Sequence, residues 1–179
     1  MDYSIDERIP LVDEILGAYE SQLGKDRLGY TNHVYRMIHF CFAQGDLGAE
    51  EKEQVVIAAC FHDLGIWTAN TFDYIPPSIR LATDYLEQTG SPQWIPEIEQ
   101  MIDQHHKLRQ FPFDPLTEVF RKSDLVDFSL GIVKCGIPRS YVKAVKSRFP
   151  NAGFHKYLVG LAARWICKHP LNPVPVLKW

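Results

Sequence analysis

The chain has 179 residues and a formal net charge of −3, which is the size of one ordinary domain. Its 46% apolar and 23% charged residues are typical of a globular protein and exclude a disordered chain. The longest apolar run, residues 55–61, is too short to span a bilayer, and the acidic start lacks the features of a signal peptide, so we predict a cytoplasmic protein without a membrane partner.

Helical periodicity begins near the N-terminus and continues along most of the chain. Apolar residues over 9–19 predict a first amphipathic helix that closes near Gly24. A second helix closes near Gly45, and one of its faces is formed by Tyr30, His33, Val34, Met37, Ile38 and Cys41.

The third predicted helix has an unusual pattern. It starts in the acidic residues 50–53, which suit the positive end of a helix dipole, and continues through the apolar run 55–61 to a C-cap at Gly65. A helix that is apolar on every side belongs in the middle of a domain.

Proline and glycine separate the remaining elements. Pro76-Pro77 breaks the chain, and five further helices are predicted over about 79–90, 95–105 and 116–130, from Ile137-Pro138 onward, and over 154–166. The proline-rich tail at 170–175 cannot be helical and is predicted to lie extended against the body. Since no run alternates with period two, we predict an all-α fold of about eight helices in a single domain, residues 1–179.

The cysteines and the charges carry less information. Cys41, Cys60, Cys135 and Cys167 have apolar neighbours and form no C-x-x-C motif, so buried, reduced thiols are expected.

Residues 128–179 contain nine Lys or Arg and no Asp or Glu, which leaves ten basic and all 22 acidic residues, a balance of −12, in the first 127. Either two faces of one domain complement each other, or a basic lobe (helices within 132–169) lies near an acidic site and favours an anionic substrate. No basic arm of the kind that binds nucleic acid is present.

Ionisable residues interrupt the apolar pattern at four places. They are His33 on the second helix, His62-Asp63 at the end of the third, His105-His106 at the end of the fifth and Asp124 on the inner face of the sixth. An isolated buried carboxylate is so costly that it must be paired, protonated or bound to a metal. Histidine and aspartate side chains from separate helices form a set of nitrogen and oxygen ligands that suits a divalent cation.

The order of these residues resembles the HD-domain metal-dependent phosphohydrolase superfamily. The segment NHVYRMIHF resembles the family's first histidine helix, IAACFHDLG its central apolar helix ending in His-Asp, and VFRKSDLVD its last ligand helix. The resemblance covers about residues 28–131.

The resemblance implies a metal centre and a reaction. One divalent cation (Mn, Mg, Co, Ni, Fe or Zn) would be held by His33, His62, Asp63 and Asp124. Such a site lowers the pKa of bound water and polarises a phosphoryl group, which is metal-assisted hydrolysis. The expected substrate is a small phosphate ester such as a nucleotide, and Asp63 and His105 are the expected catalytic residues.

Some subfamilies hold a second metal with additional histidines. The segment MIDQHHKL resembles one of those positions, but DYIPPSIRLA places Tyr74 or Ile75 where the other histidine is expected. One metal is therefore predicted, and a second is disfavoured. His105 would then act as a base or a phosphate contact beside the metal, and His106 is a weaker candidate for contact with substrate.

Several nearby charges have two possible roles each. Arg36 could reach a phosphate or pair with a carboxylate, and Lys122 could neutralise phosphate or be solvated. Asp127 could orient a ligand, although a charged helix face is the favoured interpretation. The remaining candidates are interpreted as follows: Arg139, Lys143 and Lys146 as a solvated face, His39, His155 and His169 as structural residues, and Trp67, Phe72 and Tyr74 as packing residues.

Two other functions stay open from the sequence. The same scaffold could carry different metal chemistry, as a lyase, hydratase or oxygenase. Alternatively, the chain could be a regulatory domain that binds a metal and a nucleotide without turnover. The oligomeric state has no sequence signal here.

Overall fold

The computed structural model describes residues 3–177, and it contains no strand in that range. Eight helices of nine to 18 residues form the fold, as the periodicity predicts. We number them α1 (Pro10–Ala18), α2 (Arg27–Gln44), α3 (Ala49–Phe61), α4 (Ile75–Gln88), α5 (Ile95–Gln104), α6 (Pro115–Phe128), α7 (Arg139–Arg148) and α8 (Phe154–Lys168). Short helical segments at Glu20–Leu23, Gly24–Asp26, Gly65–Thr68 and Pro92–Trp94 connect them. No helix in the described range is long and apolar enough to cross a membrane.

Helices α2 and α3 form the centre of the molecule. Of the 18 residues of α2, 14 are buried, and α3 is buried from Gln54 to Phe61. Helix α2 packs against α3, α6 and α7, while α3 packs against α1, α4 and α5. The central position predicted for the all-apolar third helix is therefore confirmed. Because these two helices are enclosed on most sides, any polar group on them is removed from water unless it lines an internal site.

The predicted C-cap at Gly65 is wrong. Helix α3 ends at Phe61 with His62 as its C-cap, and Gly65 begins the short helix Gly65–Thr68. A β-carbon on Gly65 would lie 2.4 Å from the carbonyl oxygen of Tyr74 and 2.8 Å from Ser78 Oγ. Glycine is therefore required by the close approach of α4, not by backbone conformation. This contact fixes the chain just after His62 and Asp63.

The prolines act differently from two of the predictions. Pro76 and Pro77 do not break the chain but lie in the first turn of α4, where the missing N–H has no helical partner to lose. The tail at 170–177 forms turns rather than an extended segment. It does pack on the body, since Val176 is buried in a small cluster with Ile66, Phe72, Tyr74 and Ile75.

All four cysteines are free, but only two of them are buried. Cys41 and Cys60 lie in the core, where burial raises the pKa of the Cys41 thiol to about 12. Cys135 is half-buried and Cys167 is exposed, so the prediction of buried thiols is wrong for these two. Both lie on the basic C-terminal helices and loops, which have more open packing than α2 and α3.

Candidate metal centre

Four helices bring the predicted ligands into one cluster. The cluster consists of His33 in the middle of α2, His62 and Asp63 directly after α3, His105 and His106 directly after α5, and Asp124 on α6. At most 5% of each residue is exposed, apart from His106. The four predicted ligands and His105 are thus placed together in the interior, and His106 lies at the edge of the cluster.

Two of the histidines are held by the helices that they end. His62 is the C-cap of α3 and donates from Nδ1 to the carbonyl oxygen of Ala59 at 2.8 Å. His105 is the C-cap of α5 and donates from Nδ1 to the carbonyl oxygen of Ile102 at 2.6 Å. Each ring satisfies a carbonyl of the last helical turn that has no intrahelical partner. Because a carbonyl only accepts, the proton of the neutral ring is on Nδ1, and Nε2 presents a lone pair.

His33 is oriented by a buried ion pair. Its Nδ1 lies 2.6 Å from Asp127 Oδ2, and Asp127 also accepts from Nε and Nη2 of Arg36. Arg36 donates in addition to the carbonyl oxygen of Phe149 at 3.0 Å. Burial opposes ionisation of Asp127, but the hydrogen bonds from His33 and Arg36 lower its pKa below the ordinary range. His33 therefore donates from Nδ1, and its Nε2 also presents a lone pair.

The three lone pairs and two carboxylates converge. His33 Nε2 lies 2.9 Å from His62 Nε2, and Asp63 Oδ2 lies 3.6 and 3.5 Å from these two atoms. Asp124 Oδ1 is 3.9 Å from His33 Nε2. On the other side, His105 Nε2 is 3.5 Å from Asp63 Oδ1, and neither of these two buried atoms has a hydrogen-bond partner.

This donor set fits a divalent cation. Two neutral imidazoles cannot hydrogen-bond through facing lone pairs, whereas two nitrogens that share a cation at about 2.1 Å lie about 3 Å apart when the ligand angle is near 90°. Arg36 offsets the charge of Asp127, so Asp63 and Asp124 leave two uncompensated negative charges when the histidines are neutral. The carbonyl ends of α3 and α5 also favour a cation. The residues present therefore match a doubly charged ion in ligand type and in charge.

Electrostatics keeps some of these groups in their ligating forms. Burial lowers the pKa of His62 to about 3, so the ring is neutral at pH 7. Burial opposes ionisation of Asp63, but His62 and His105 lower its pKa below the ordinary range. Burial raises the pKa of Asp124 to about 6. The charged form of Asp124 is thus unfavourable in the metal-free interior, and a bound cation would stabilise it.

A second grouping shares one of the same carboxylates. Ligand atoms of Asp63, His105 and His106 lie within 4.8 Å of one another, as do those of Asp63 with His33 and His62. His106 Nε2 lies 2.6 Å from the hydroxyl of Tyr74, and His106 Nδ1 lies 3.4 Å from Asp124 Oδ2. Tyr74 therefore stands beside His106, in the part of the sequence where the resemblance expects another histidine.

The charged residues that flank the cluster form ion pairs or hydrogen bonds within the protein. Arg36 takes the second of its two possible roles and pairs with a carboxylate; it is 1% exposed, and its contact with substrate stays a prediction. Lys122 pairs with Glu118 at 3.4 Å, is 38% exposed and makes no contact with the cluster in the described part of the chain. The favoured interpretation of Asp127 as a helix-face charge is also wrong, because it is buried behind His33.

The sequence offers carboxylate pairing for Arg36 and ligand orientation for Asp127 as separate possibilities, and the structure joins the two residues in one ion pair behind His33. Arg36 follows His33 by three residues and Asp127 follows Asp124 by three, so each lies one turn from a ligand on the same helix face. Phe154 at the start of α8 was missed; its ring stacks on His33 with 4.2 Å between centroids. No spacing rule links these two residues, since α8 is far from α2 in sequence.

The remaining histidines and two of the three predicted packing residues, Trp67 and Phe72, lie outside the cluster, whereas Tyr74 contacts His106 at its edge. His39 contacts the carbonyl oxygen of Asp6, and His155 donates to that of Asp127 at 3.0 Å. His169 stacks on Trp165, and Trp67 stacks on Tyr157. The interpretation of these residues as structural agrees with their packing.

Comparison of the chain with protein-family models, with curated proteins and with solved structures gave no match. The resemblance to the HD-domain superfamily therefore stays a prediction. The finding about the site is coarser: buried His and Asp groups are arranged so that they could hold a metal ion.

Proposed function

We propose that this protein is a metal-dependent phosphohydrolase of HD-domain type that acts on a small phosphate ester such as a nucleotide. The observation that carries the proposal is the convergence of three imidazole lone pairs with Asp63 and Asp124 in a buried cluster that contains unpartnered polar atoms. The order of ligands along the chain, which resembles that superfamily, supports hydrolysis over other metal chemistry.

In this proposal each residue of the cluster has its own role in metal binding or proton transfer. His33, His62, Asp63 and Asp124 would hold one divalent cation, and Asp127 and Arg36 keep His33 in its ligating tautomer. When bound, the cation would supply Lewis-acid chemistry toward phosphoryl oxygen and lower the pKa of water. In this proposal His105, whose Nε2 has no hydrogen-bond partner, would accept a proton from an attacking water. Burial opposes protonation of the ring, but Asp63 and Asp124 raise the pKa of His105, which favours this role.

His106 is the most exposed member of the cluster. The side chain of His106 is 16% exposed and that of Asp124 is 7% exposed, whereas those of His33 and Asp63 are 2% and 4% exposed. A phosphate ester would therefore approach past His106, which gives that residue a role in substrate contact under this proposal.

Elemental analysis followed by a substrate screen tests the proposal. Purified protein should contain about one divalent ion per chain, and a panel of phosphate mono- and diesters should reveal turnover with at least one of Mn, Mg, Co, Ni, Fe or Zn. The Asp124→Ala protein is the matched negative control. Metal-replete protein that binds nucleotides but turns over no ester would favour the regulatory-domain alternative.

His105→Ala and His106→Ala separate the roles of the paired histidines. If His105 acts as a base, His105→Ala should lower the hydrolysis rate by about 10²–10⁴ while the metal content stays near one per chain. His106→Ala should lower the rate much less, because His106 lies at the edge of the cluster. Rates and metal content are measured on the same preparations. An unchanged rate in His105→Ala would exclude His105 as the base.

The second grouping favours one alternative form of the site. Since Asp63 belongs to both groups of ligand atoms, a second cation could be held by Asp63, His105 and His106. In that case the wild-type protein would contain two metals and His105→Ala would contain one. Phosphodiester cleavage or iron-dependent oxygen chemistry would then move ahead of simple monoester hydrolysis.

A further inference from the structure

A basic pocket of about 560 Å³ lies between the loop that follows α6 and one face of α7. Its apolar walls include Leu130, Ile132 and Val142, and its basic lining consists of Lys134, Arg139, Lys143 and Lys146. None of these residues belongs to the metal cluster. The pocket is open to solvent, since Leu130 and Ile132 are 50% and 82% exposed, so a ligand bound there would stay partly in water.

The cations around this pocket are not neutralised by the protein. Lys134, Arg139 and Lys143 are exposed and form no ion pair among residues 3–177. Lys146 donates to the carbonyl oxygen of Leu130, which leaves its charge uncompensated. By contrast, Arg148 at the end of the same helix pairs with Glu7 at 2.6 Å. Four like charges around one pocket raise the local potential and attract a small anion.

The loop wall of the pocket is held by backbone hydrogen bonds and by close packing on α7. The Gly131 and Ile137 amides donate at 2.8 Å to the carbonyl oxygens of Val126 and Lys134, respectively. Leu130 has a φ of 55°, in the left-handed region that non-glycine residues rarely adopt. A β-carbon on Gly131 would lie 2.8 Å from Val142 Cγ1, so the loop packs closely on α7.

We propose that this pocket binds a small oligophosphate anion, such as the di- or triphosphate group of a nucleotide. The four cations match the three to four negative charges of such a group in number and sign. Leu130, Ile132 and Val142 offer apolar contact to the rest of the ligand. The proposal does not depend on the metal cluster or on the proposed hydrolase activity.

Segments next to both walls of the pocket hydrogen-bond to Asp127 and Arg36, the two residues that support His33. The Leu130 amide donates to the carbonyl oxygen of Asp127 at 2.9 Å, and the residue after α7, Phe149, accepts from Arg36. An anion that bridges the loop and α7 would thus join the two segments that position Asp127 and Arg36. We expect bound anion to raise the melting temperature of the protein.

Calorimetric titration in excess chelator tests this site without the metal centre. The probes are inorganic tripolyphosphate and ATP, each titrated into wild type, Arg139→Gln/Lys143→Gln and the control Lys156→Gln/Lys168→Gln. The control also removes two positive charges, but from α8, where Lys156 and Lys168 are exposed and lie outside the pocket. Circular dichroism verifies that each variant is folded.

The expected result is one tripolyphosphate per wild-type chain, with affinity lowered about tenfold or more in Arg139→Gln/Lys143→Gln and nearly unchanged in the control. ATP should follow the same pattern. Absence of binding to wild type, or equal loss in both double variants, would overturn the proposal. Binding to phosphatidylglycerol vesicles without binding of tripolyphosphate would also overturn it, in favour of a membrane surface.

Discussion

At the scale of single residues, the cluster is defined by where each histidine holds its proton. His33, His62 and His105 all donate from Nδ1, to a carboxylate or to a backbone carbonyl oxygen. When the rings are neutral, each Nε2 carries a lone pair that faces Asp63 or a neighbouring imidazole. Burial opposes protonation of His105, but Asp63 and Asp124 raise its pKa, so a cation would compete with a proton at that ring. This common orientation, rather than the mere presence of histidines, is what suits the cluster to a cation.

Asp124→Ala should separate metal binding from folding. Burial raises the pKa of Asp124 to about 6, so its charge is unfavourable in the metal-free interior at pH 7. The variant should lose metal binding and turnover, yet in chelator it should melt at or above the temperature of the wild-type protein. Thermal melts of both proteins in chelator decide this. A strongly destabilised variant would mean that Asp124 is mainly a structural partner.

Asp127→Asn should affect both stability and metal affinity. The change leaves the buried guanidinium of Arg36 without its carboxylate, at a cost of about 3–5 kcal/mol in unfolding free energy. It also loosens the tautomer of His33, so metal affinity should fall about 10–100-fold. Urea unfolding and metal titration measure the two effects. Glu87→Gln, an equal charge change at an exposed position, is the control and should alter neither.

At the scale of elements, two helix ends and two helix faces build the cluster. His62 and His105 are C-caps, so Asp63 and His106 follow directly in the chain as it leaves α3 and α5. His33 and Asp124 lie within α2 and α6, which pack against each other. The chain that follows α3 is held by a tertiary contact, because the Gly65 amide donates to Ser78 Oγ at 2.9 Å near the start of α4.

Gly65→Ala tests this anchoring of the chain after Asp63. The added methyl group would lie 2.4 Å from the Tyr74 carbonyl oxygen, so Gly65 must move away from α4. We expect a loss of about 1–3 kcal/mol in unfolding free energy and weaker metal binding.

The matched control is Gly17→Ala, also a glycine within a helix. No atom lies within 4 Å of the position that its β-carbon would take. This variant should be neutral or stabilising by up to about 1 kcal/mol. Equal unfolding free energies for the two variants would contradict the proposed close packing at Gly65.

At the scale of the whole molecule, the cluster joins helices that are distant in sequence. Its ligand atoms come from α2, the ends of α3 and α5, and α6, which together form most of the core. A cation held there would link all four helices in the folded state and would bind the unfolded chain far more weakly. Metal binding and global stability should therefore be coupled.

Addition of Mn²⁺ or Ni²⁺ should raise the melting temperature of the protein. At a free concentration about 100 times the dissociation constant, the gain is about 2.7 kcal/mol, or about 5–10 °C for a chain of this size. Chelator should reverse the shift, and Asp124→Ala should show none. A shift that persists in Asp124→Ala would place the stabilising metal elsewhere in the molecule.

The sequence determined the class of the fold and the members of the cluster. Periodicity of 3.6 residues predicted eight helices and the central position of α3, because burial of apolar faces is what the pattern encodes. His33, Asp63 and Asp124 were found because each places a polar group where the local pattern asks for an apolar one. Gly65 was misread, since a glycine near a helix end has the same local signature whether it caps the helix or admits a neighbouring element.

Only the tertiary structure decided how these residues are supported. Arg36 is 91 positions from Asp127 and 113 positions from Phe149, so no helical periodicity links it to either partner. The same holds for Tyr74 beside His106, and for the loop and helix that enclose the basic pocket. Local patterns report which side of an element is buried, but the partner of a buried charge is fixed by how whole helices pack, and that information is distributed over the entire chain.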